Sequence, residues 1–311
     1  MCQRTVVTAQ SAARLSLANG TGWVVAATND PASKLVAELA KVMQLSVSSL
    51  QDAATCYGFL TVAGKGDAAD AAGLAPGEAQ ESARVSLWLT DRLTDGRQAP
   101  NRNGAGLPLG PIGTDDLRIR VMVRLSSLIA LTVEREGGLL VHGALAERDG
   151  FGVVLAGPGG IGKTTASRRL SPPWHSLSDD ATLIVRDADG AYWAHPWPTW
   201  SRFMLGGPGG TWDVQRAVPL RGIFFLYQDA SSWTDMVETS EAAASLVQSA
   251  EQILGHIQSM IAQRDLRALR LRRFDNISSM VRTVPCYVLH VDLESPFWEV
   301  LDRRIGGTTR P

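Results

Sequence analysis

Residues 151–165 are Phe-Gly-Val-Val-Leu-Ala-Gly-Pro-Gly-Gly-Ile-Gly-Lys-Thr-Thr, an apolar run that leads directly into the pattern Gly-x-x-x-x-Gly-Lys-Thr. A helix-compatible segment, 166–170, follows this pattern. A strand, a glycine loop and a helix in this order are the context of a phosphate-binding P-loop. Glycine permits backbone conformations in which successive N–H groups turn toward one anion. A flexible glycine turn before a helix is the alternative, but the complete pattern predicts a site for a nucleoside triphosphate.

The P-loop pattern assigns a role to each of its polar residues. Lys163 is expected to reach the outer phosphates of ATP, and the hydroxyl of Thr164 is expected to bind Mg²⁺. Arg202 is added as a phosphate contact because a guanidinium matches phosphate oxygens. The predicted nucleotide-binding residues are Gly157, Pro158, Gly159, Gly160, Ile161, Gly162, Lys163, Thr164, Thr165 and Arg202. ATP and Mg²⁺ are therefore the expected cofactors.

The composition narrows the class of protein. The 311 residues, 45% hydrophobic and 20% charged, suffice for one large domain or two. A formal net charge of −1 argues against nucleic-acid binding. Three widely spaced cysteines without metal-ligand spacing indicate a reducing compartment, and the cytoplasm is expected. The most apolar segment, 117–133, contains three arginines, and the first residues lack a leader pattern, so no membrane association is expected.

Two domains are predicted, an N-terminal α/β accessory domain at 1–113 and a P-loop domain at 114–311. In the first, a strand at 23–27 precedes a helix with Asp30 as the expected N-cap. An exposed loop is expected at 63–81, and the segment 95–114, rich in glycine and proline, predicts a linker. The first domain shows no recognisable chemistry. A supporting or oligomerisation role is favoured over ligand binding, and homo-oligomers stay open.

The second chemical signal is the pair Asp179-Asp180, which begins 16 residues after Lys163. A single crossover from the P-loop helix to a parallel neighbouring strand would bring this pair to the edge of the sheet where the loop lies. Phosphoryl transfer requires one carboxylate to hold Mg²⁺ and another to orient or deprotonate the attacking hydroxyl. The alternative is a polar turn, for which Asp is common. Proximity to the loop favours the catalytic interpretation.

Two other residues compete for roles in the site. The strand 222–228 is followed by Asp229, which is the outline of a Walker B element. Tyr227 and Gln228 separate Asp229 from the apolar residues of the strand, so Asp229 ranks below the acidic pair. His142 is the polar residue of a predicted strand at 139–146, which should form a hairpin with the P-loop strand through Asp149-Gly150. Structural and active-site roles for His142 are equally favoured.

The C-terminal half carries weaker signals. The tryptophan- and proline-rich segment 193–203 is interpreted as a packed loop more readily than as a peptide-binding surface. The glycine-rich segment 206–210 is expected to form a flap. The arginines between 264 and 273 predict a solvated helix face, with binding of an acidic partner less favoured. Helices are expected at 240–264 and 295–305, and strands at 218–227 and 286–291.

Together, Val141-His142-Gly143, the run Gly157–Thr165 and Ser178-Asp179-Asp180 resemble the core of bacterial HPr kinase/phosphorylase, a family that shares its nucleotide-binding core with phosphoenolpyruvate carboxykinase. The resemblance covers residues 139–185 and is greatest to HPr kinase-related proteins of peptide-modification cassettes, in particular the SynChlorMet cassette protein ScmC. It implies an α/β P-loop core of that type. The N-terminal region and the C-terminal signature of true HPr kinases are not matched, so HPr is not the expected acceptor.

The resemblance also implies the catalytic roles. Asp179 corresponds to the general base that takes the proton of a seryl hydroxyl, Asp180 assists the metal or the hydroxyl, and His142 is the active-site histidine. The expected catalytic residues are His142, Lys163, Asp179 and Asp180, and the expected metal ligands are Thr164 and Asp180.

The leading prediction is an ATP- and Mg²⁺-dependent kinase for a serine or threonine of a peptide or protein, with ribosomal precursor peptides as candidates. The alternatives are a nucleotide-dependent regulatory module of a peptide-modifying complex, without phosphoryl transfer, and a motor-type ATPase that uses Asp229.

Overall fold

The computed structural model describes residues 11–48, 56–63, 84–90, 114–204, 209–254 and 263–306. These residues form a mixed α/β structure with one five-stranded and one nine-stranded sheet, so the predicted mixture of helices and strands is confirmed. The chain divides into two compact units, 1–125 with 200–211, and 126–199 with 212–311. The loop predicted after Ala63, the linker before Thr114 with its domain boundary, and most of the predicted flap lie outside the described residues.

The first unit contains the five-stranded sheet and one helix that packs on it. Its elements are β1 (Ser11–Ser16), β2 (Gly22–Ala27), α1 (Asp30–Met43), β3 (Ser46–Ser48), β4 (Cys56–Ala63) and β5 (Arg84–Thr90). The strand order is β3-β1-β2-β4-β5, and β2 with β4 is the parallel pair. The expected apolar face of α1, from Leu35 to Met43, is buried.

The N-cap of α1 is Asn29, so the prediction of Asp30 was wrong. Asn29 has an extended backbone, and its side-chain oxygen accepts a hydrogen bond from the Ala32 N–H at 3.1 Å. Asp30 instead occupies the first helical turn, where its negative charge favours the positive end of the helix dipole.

The remaining elements are α2 (Thr114–Arg135), β6 (Leu139–Val141), β7 (Gly143–Arg148), β8 (Phe151–Ala156), α3 (Lys163–Arg169), β9 (His175–Ser178), β10 (Ala181–Arg186), β11 (Tyr192–Trp197), α4 (Ser201–Met204), β12 (Val218–Gln228), β13 (Trp233–Met236), α5 (Thr239–Leu254), α6 (Gln263–Thr283), β14 (Cys286–Val291) and α7 (Trp298–Gly306). Helix α4 and the first half of α2 belong to the first unit. None of the helices described is long and apolar enough to cross a membrane.

The nine-stranded sheet has helices on both faces. Its path is β6-β10-β11-β12-β8-β7-β9, with β14 beside β12 and β13 beside β14. Strand β8 is apolar throughout because alternate residues enter different cores. Val154 and Ala156 contribute to the core that includes α5 and α6, and Val153 and Leu155 to the core that includes α3 and α7.

The predicted hairpin between β7 and β8 is confirmed. The two strands pair from Gly143–Ala156 to Arg148–Phe151, and Asp149 and Gly150 have φ angles of 50° and 81° at the turn. Two successive positive φ angles suit the twist of a two-residue hairpin loop, and the Asp-Gly sequence tolerates them. Strand β8 is thereby fixed immediately before the glycine-rich segment.

Two expectations about strand connections were wrong. The segment 139–146 is not one strand, because β6 pairs with β10 whereas β7 pairs with β8 and β9, and His142 lies at the break. Strand β9 is not a neighbour of β8, because β7 lies between them and is antiparallel to both. Since two reversals restore the direction, β8 and β9 still end at the same edge of the sheet.

The arginine-rich helix α6 is only in part a solvated face. Arg267, Arg270 and Arg272 are exposed, as predicted. Arg273 is buried and donates two hydrogen bonds to the buried carboxylate of Glu134, at 3.2 and 3.3 Å. Desolvation raises the pKa of Glu134 despite the adjacent guanidinium. The pair therefore joins α6 to the end of α2.

Buried His195 should make stability depend on pH. Burial lowers its pKa to about 4, and its ring Nδ1 donates to the Val214 carbonyl oxygen at 2.7 Å. The unfolded chain takes up this proton near pH 6.5, whereas the folded chain does so only near pH 4, so acid favours unfolding.

We expect His195 to cost about 2 kcal/mol of unfolding free energy between pH 7.5 and pH 5. The His195→Asn variant should lack this loss, because its side chain does not titrate in that range. Urea unfolding followed by tryptophan fluorescence at the two pH values measures it. Equal losses in the variant and the wild type would contradict the assignment to His195.

Candidate functional site

The segment between β8 and α3, residues 157–162, is the centre of the candidate site and is called the glycine loop below. Gly160 and Gly162 have φ angles of 80° and 108°, a region that glycine adopts without steric cost. A Cβ atom at Gly159, Gly160 or Gly162 would meet no atom within 4 Å. The loop is therefore bordered by open space at the carboxyl edge of the sheet.

The side chain of Lys163 is hydrogen-bonded to the backbone of the glycine loop. Its ammonium donates to the carbonyl oxygens of Gly157 and Pro158, both at 2.9 Å, and the residue is only 5% exposed. Burial lowers the pKa of Lys163, and the charge of Asp180 acts in the opposite direction. These two bonds use two of the three N–H donors that a lysine ammonium offers.

Asp180 is held by His142 in the loop that joins β9 to β10. The Nε2 atom of His142 lies 2.8 Å from Oδ1 of Asp180, and because a carboxylate can only accept, Nε2–H is the donor. The Nδ1 atom of His142 lies 2.6 Å from Oε1 of Gln252 on α5. Ser249 on the same helix donates to the His142 carbonyl oxygen at 3.1 Å. Helix α5 therefore fixes the backbone and the ring of His142.

The two aspartates of the acidic pair have different surroundings. Asp179 is 7% exposed, and its Oδ1 accepts a hydrogen bond from the Thr199 hydroxyl at 3.1 Å. The side chain of Asp180 is 29% exposed. The two carboxylates are therefore bonded to different parts of the chain, Asp179 to Thr199 after β11 and Asp180 to His142 between β6 and β7.

The remaining predicted residues fall into two groups. Thr164 is half-buried and Thr165 is exposed, both in the first turn of α3 directly after the loop. The Ile161 carbonyl oxygen accepts a hydrogen bond from the Gln228 side chain at 3.2 Å, which ties the loop to the end of β12. Arg202 lies on α4, in the first compact unit. The second unit thus brings together Lys163 and Asp180, but Arg202 is not part of it.

The carboxylate of Asp229, the alternative metal ligand, interacts with neighbouring residues of the turn after β12 and with His290. Its carboxylate accepts from the Ala230 N–H at 2.6 Å and from the Trp233 indole at 3.3 Å, and Oδ2 lies 2.8 Å from Nδ1 of His290. These interactions, the Ala230 bond foremost, lower the pKa of Asp229. The carboxylate whose charge acts on Lys163 is that of Asp180.

The donor set of the site suits a cation that is shared with a ligand. No group of three or more His, Cys, Asp or Glu side chains that could hold a metal occurs in the part of the chain that the structure describes. The two predicted metal ligands, Thr164 and Asp180, would supply a hydroxyl oxygen and a carboxylate oxygen to such a cation. Mg²⁺ commonly uses one or two carboxylates and completes its shell with phosphate oxygens and water.

Sequence reasoning missed three supporting residues, Thr199, Ser249 and Gln252. Each reaches its partner across 20 to 110 positions of sequence. No local pattern distinguishes Gln252 from the other polar residues of α5. The role of Gln252 is visible only in the tertiary structure, in which α5 packs beside the break between β6 and β7.

A comparison with models of protein families shows the family of this chain. The family model of the SynChlorMet cassette protein ScmC matches residues 109–306, well over half of the chain, and the match includes His142, the glycine loop and the acidic pair. No curated protein matches the chain.

Proposed function

The chain belongs to the SynChlorMet cassette protein ScmC family, and from this premise we propose that it is an ATP- and Mg²⁺-dependent kinase for a serine or threonine of a peptide or protein. Ribosomally made precursor peptides are the proposed acceptors. The proposed core is a P-loop fold of the HPr kinase and phosphoenolpyruvate carboxykinase type. One observation carries the proposal. The Lys163 ammonium is fixed under the glycine loop, and the nearby carboxylate of Asp180 is held by His142.

The residues of the glycine loop fit a triphosphate. Open space borders Gly159, Gly160 and Gly162, so phosphate oxygens can approach the backbone closely. The buried ammonium of Lys163 keeps one N–H donor for a phosphate oxygen. A cation in a site with little water attracts a phosphate more strongly than a cation in bulk solvent.

The site also fits Mg²⁺, with the Thr164 hydroxyl and Asp180 as its proposed protein ligands. Bound Mg²⁺ would neutralise charge on the phosphates during transfer. His142 donates to Oδ1 of Asp180 and thereby fixes the position of the carboxylate that is proposed to bind the metal. Gln252 holds the opposite side of the His142 ring, so the orientation of Asp180 is fixed before any ligand binds.

Asp179 is the proposed general base. The Thr199 hydroxyl donates to Oδ1 of Asp179 and orients the side chain, and this carboxylate would accept the proton of the acceptor hydroxyl. The acceptor oxygen would then attack the γ-phosphorus of ATP, the bond from this phosphorus to the β–γ bridging oxygen would break, and ADP would leave. Lys163 would stabilise the charge on the phosphate oxygens during the transfer. This assignment divides the work between two adjacent carboxylates, one for the metal and one for the proton.

Intact mass spectrometry tests the proposal directly. The protein is incubated with ATP, Mg²⁺ and peptides encoded beside its gene, and the expected result is a mass gain of one phosphoryl group on a peptide. ATP-dependent association with no mass gain would instead support a regulatory module. Steady ATP hydrolysis with no acceptor would support the motor-type ATPase. Either result would overturn the kinase proposal.

Gln252 should contribute to turnover although it lies outside the glycine loop. The Gln252→Leu variant removes the hydrogen-bond partner of His142 Nδ1 and frees the ring to turn away from Asp180. We expect kcat/KM for Mg²⁺–ATP to fall roughly fivefold to tenfold, the value of one hydrogen bond of about 1 kcal/mol, because the proposed metal ligand Asp180 loses its fixed position.

The matched control is Gln248→Leu, which alters an exposed glutamine on the same helix. Steady-state kinetics of both variants at several ATP concentrations separates kcat from KM. Equal activity of the two variants would show that Gln252 does not position the His142–Asp180 pair.

A further inference from the structure

Three aromatic rings form a stack at the carboxyl ends of β12 and β14. Tyr227, His290 and Trp233 are register neighbours on β12, β14 and β13. The rings of Trp233 and His290 are 3.8 Å apart at an angle of 8°, and those of Tyr227 and His290 are 5.4 Å apart at 20°. Tyr227 and Trp233 are each 43% exposed, a large fraction for aromatic side chains in a sheet. These three residues are called the aromatic stack below.

The stack is pre-organised by a carboxylate. Asp229 accepts a hydrogen bond from the Trp233 indole, and its Oδ2 lies 2.8 Å from Nδ1 of His290. The ring of His290 therefore lies between those of Tyr227 and Trp233 and beside the carboxylate of Asp229. A rigid stack of this kind loses little conformational entropy when another planar group is added to it.

Tyr227 is the end of the stack closest to the glycine loop. Strand β12 lies between β14 and β8, so the side of the Tyr227 ring away from His290 is turned toward β8. The register pairs Phe225 with Ala156, and a Cβ atom on Gly157 would lie 3.6 Å from the Leu226 carbonyl oxygen. Tyr227 follows directly, and the next residue, Gln228, binds the loop at Ile161.

The acidic pair and the aromatic stack lie in opposite directions from the glycine loop. Asp179 and Asp180 follow β9, which is reached from β8 through β7, whereas Tyr227 is on β12, the neighbour on the other side of β8. A nucleotide that directs its terminal phosphate toward Asp180 would extend its base toward β12. The two ends of such a ligand would therefore meet different chemistry, charged at one end and aromatic at the other.

We propose that Tyr227 is the stacking platform for the nucleobase of the nucleotide bound at the glycine loop. This inference rests on the proposed function, because it requires a nucleotide there. Every base has a π face, so stacking provides affinity with little selectivity between bases. His290, Trp233 and Asp229 support the platform. Asp229 is then a positioning residue of the aromatic stack and is not the metal ligand.

The test compares ATP with inorganic tripolyphosphate, a probe with no base, by calorimetric titration in the presence of Mg²⁺. Tyr227→Ala should weaken ATP binding roughly tenfold and leave tripolyphosphate binding unchanged. Tyr227→Phe should retain wild-type affinity for both probes, because it keeps the ring. Phe274→Ala, at an exposed aromatic residue on α6, is the control and should change neither affinity.

Each other outcome overturns the inference. Unchanged ATP affinity in Tyr227→Ala would remove the platform, and equal weakening of both probes would show that the substitution acts on the glycine loop. Loss of acceptor-peptide binding with unchanged ATP affinity would make the stack a peptide site. A wild-type protein that binds neither probe would refute the nucleotide site itself, which distinguishes failure of the proposed function from failure of the platform.

Discussion

Replacement of Lys163 by alanine is expected to lower kcat/KM for phosphoryl transfer by roughly three orders of magnitude, as for loss of a principal electrostatic group. The ammonium is fixed at the glycine loop, where it donates hydrogen bonds to the Gly157 and Pro158 carbonyl oxygens. The variant loses the charge that would attract the phosphates and the two hydrogen bonds that shape the loop.

Lys163→Arg and Lys41→Ala complete this experiment. Arginine keeps the charge, but its planar guanidinium does not fit a niche filled by a compact ammonium, so we expect a large loss as well. Lys41 is an exposed lysine on α1, and its removal should have no effect. ATP binding and peptide phosphorylation are measured for each variant. Wild-type transfer by Lys163→Ala would be incompatible with a P-loop mechanism.

The acidic pair should divide into two phenotypes. Asp179→Asn is expected to reduce transfer by roughly 10²-fold to 10⁴-fold, the usual contribution of a general base, with Mg²⁺–ATP affinity nearly intact. Asp180→Asn should reduce both transfer and Mg²⁺–ATP affinity, because Asp180 is the proposed metal ligand and its charge acts on Lys163. Both replacements preserve side-chain shape, so the difference between them reports charge.

Asp189→Asn is the matched control, since Asp189 is an exposed aspartate in the turn between β10 and β11. Titrations with ATP at several Mg²⁺ concentrations, together with single-turnover transfer, separate binding from chemistry. Wild-type turnover in Asp179→Asn would remove the base assignment. Exchanged phenotypes would exchange the roles of the two carboxylates.

Some features of the fold were predictable because a few consecutive residues determine them. Asp149-Gly150 specifies the turn between β7 and β8 through two positive φ angles. The buried face of α1 follows from apolar residues at helical spacing. The order of strand, glycine loop and helix at 151–169 likewise follows from one short segment. The assignment of this segment to a P-loop core of the HPr kinase type remains a prediction.

Other features depended on choices between distant partners. The apolar segment 139–146 suits one strand by composition, but β6 and β7 pair with different strands, and the break places His142 beside Asp180. The run of arginines predicts that Arg273 is exposed, but Arg273 is buried and donates to the buried Glu134 of α2. A carboxylate can compensate the charge of a buried arginine. The residues around Arg273 do not indicate that Glu134 is this partner, because the two are far apart in the sequence.

The sequence by itself determined the glycine loop, its lysine and the acidic pair, since each is a property of adjacent residues and of the backbone conformations they permit. The tertiary structure alone decided which groups surround them. It inserted β7 between β8 and β9, brought Gln252 to His142 across 110 positions, and aligned three aromatic rings from three strands. The physical reason is that strand pairing and helix packing are selected by total burial and hydrogen bonding of the folded chain, which no short segment contains.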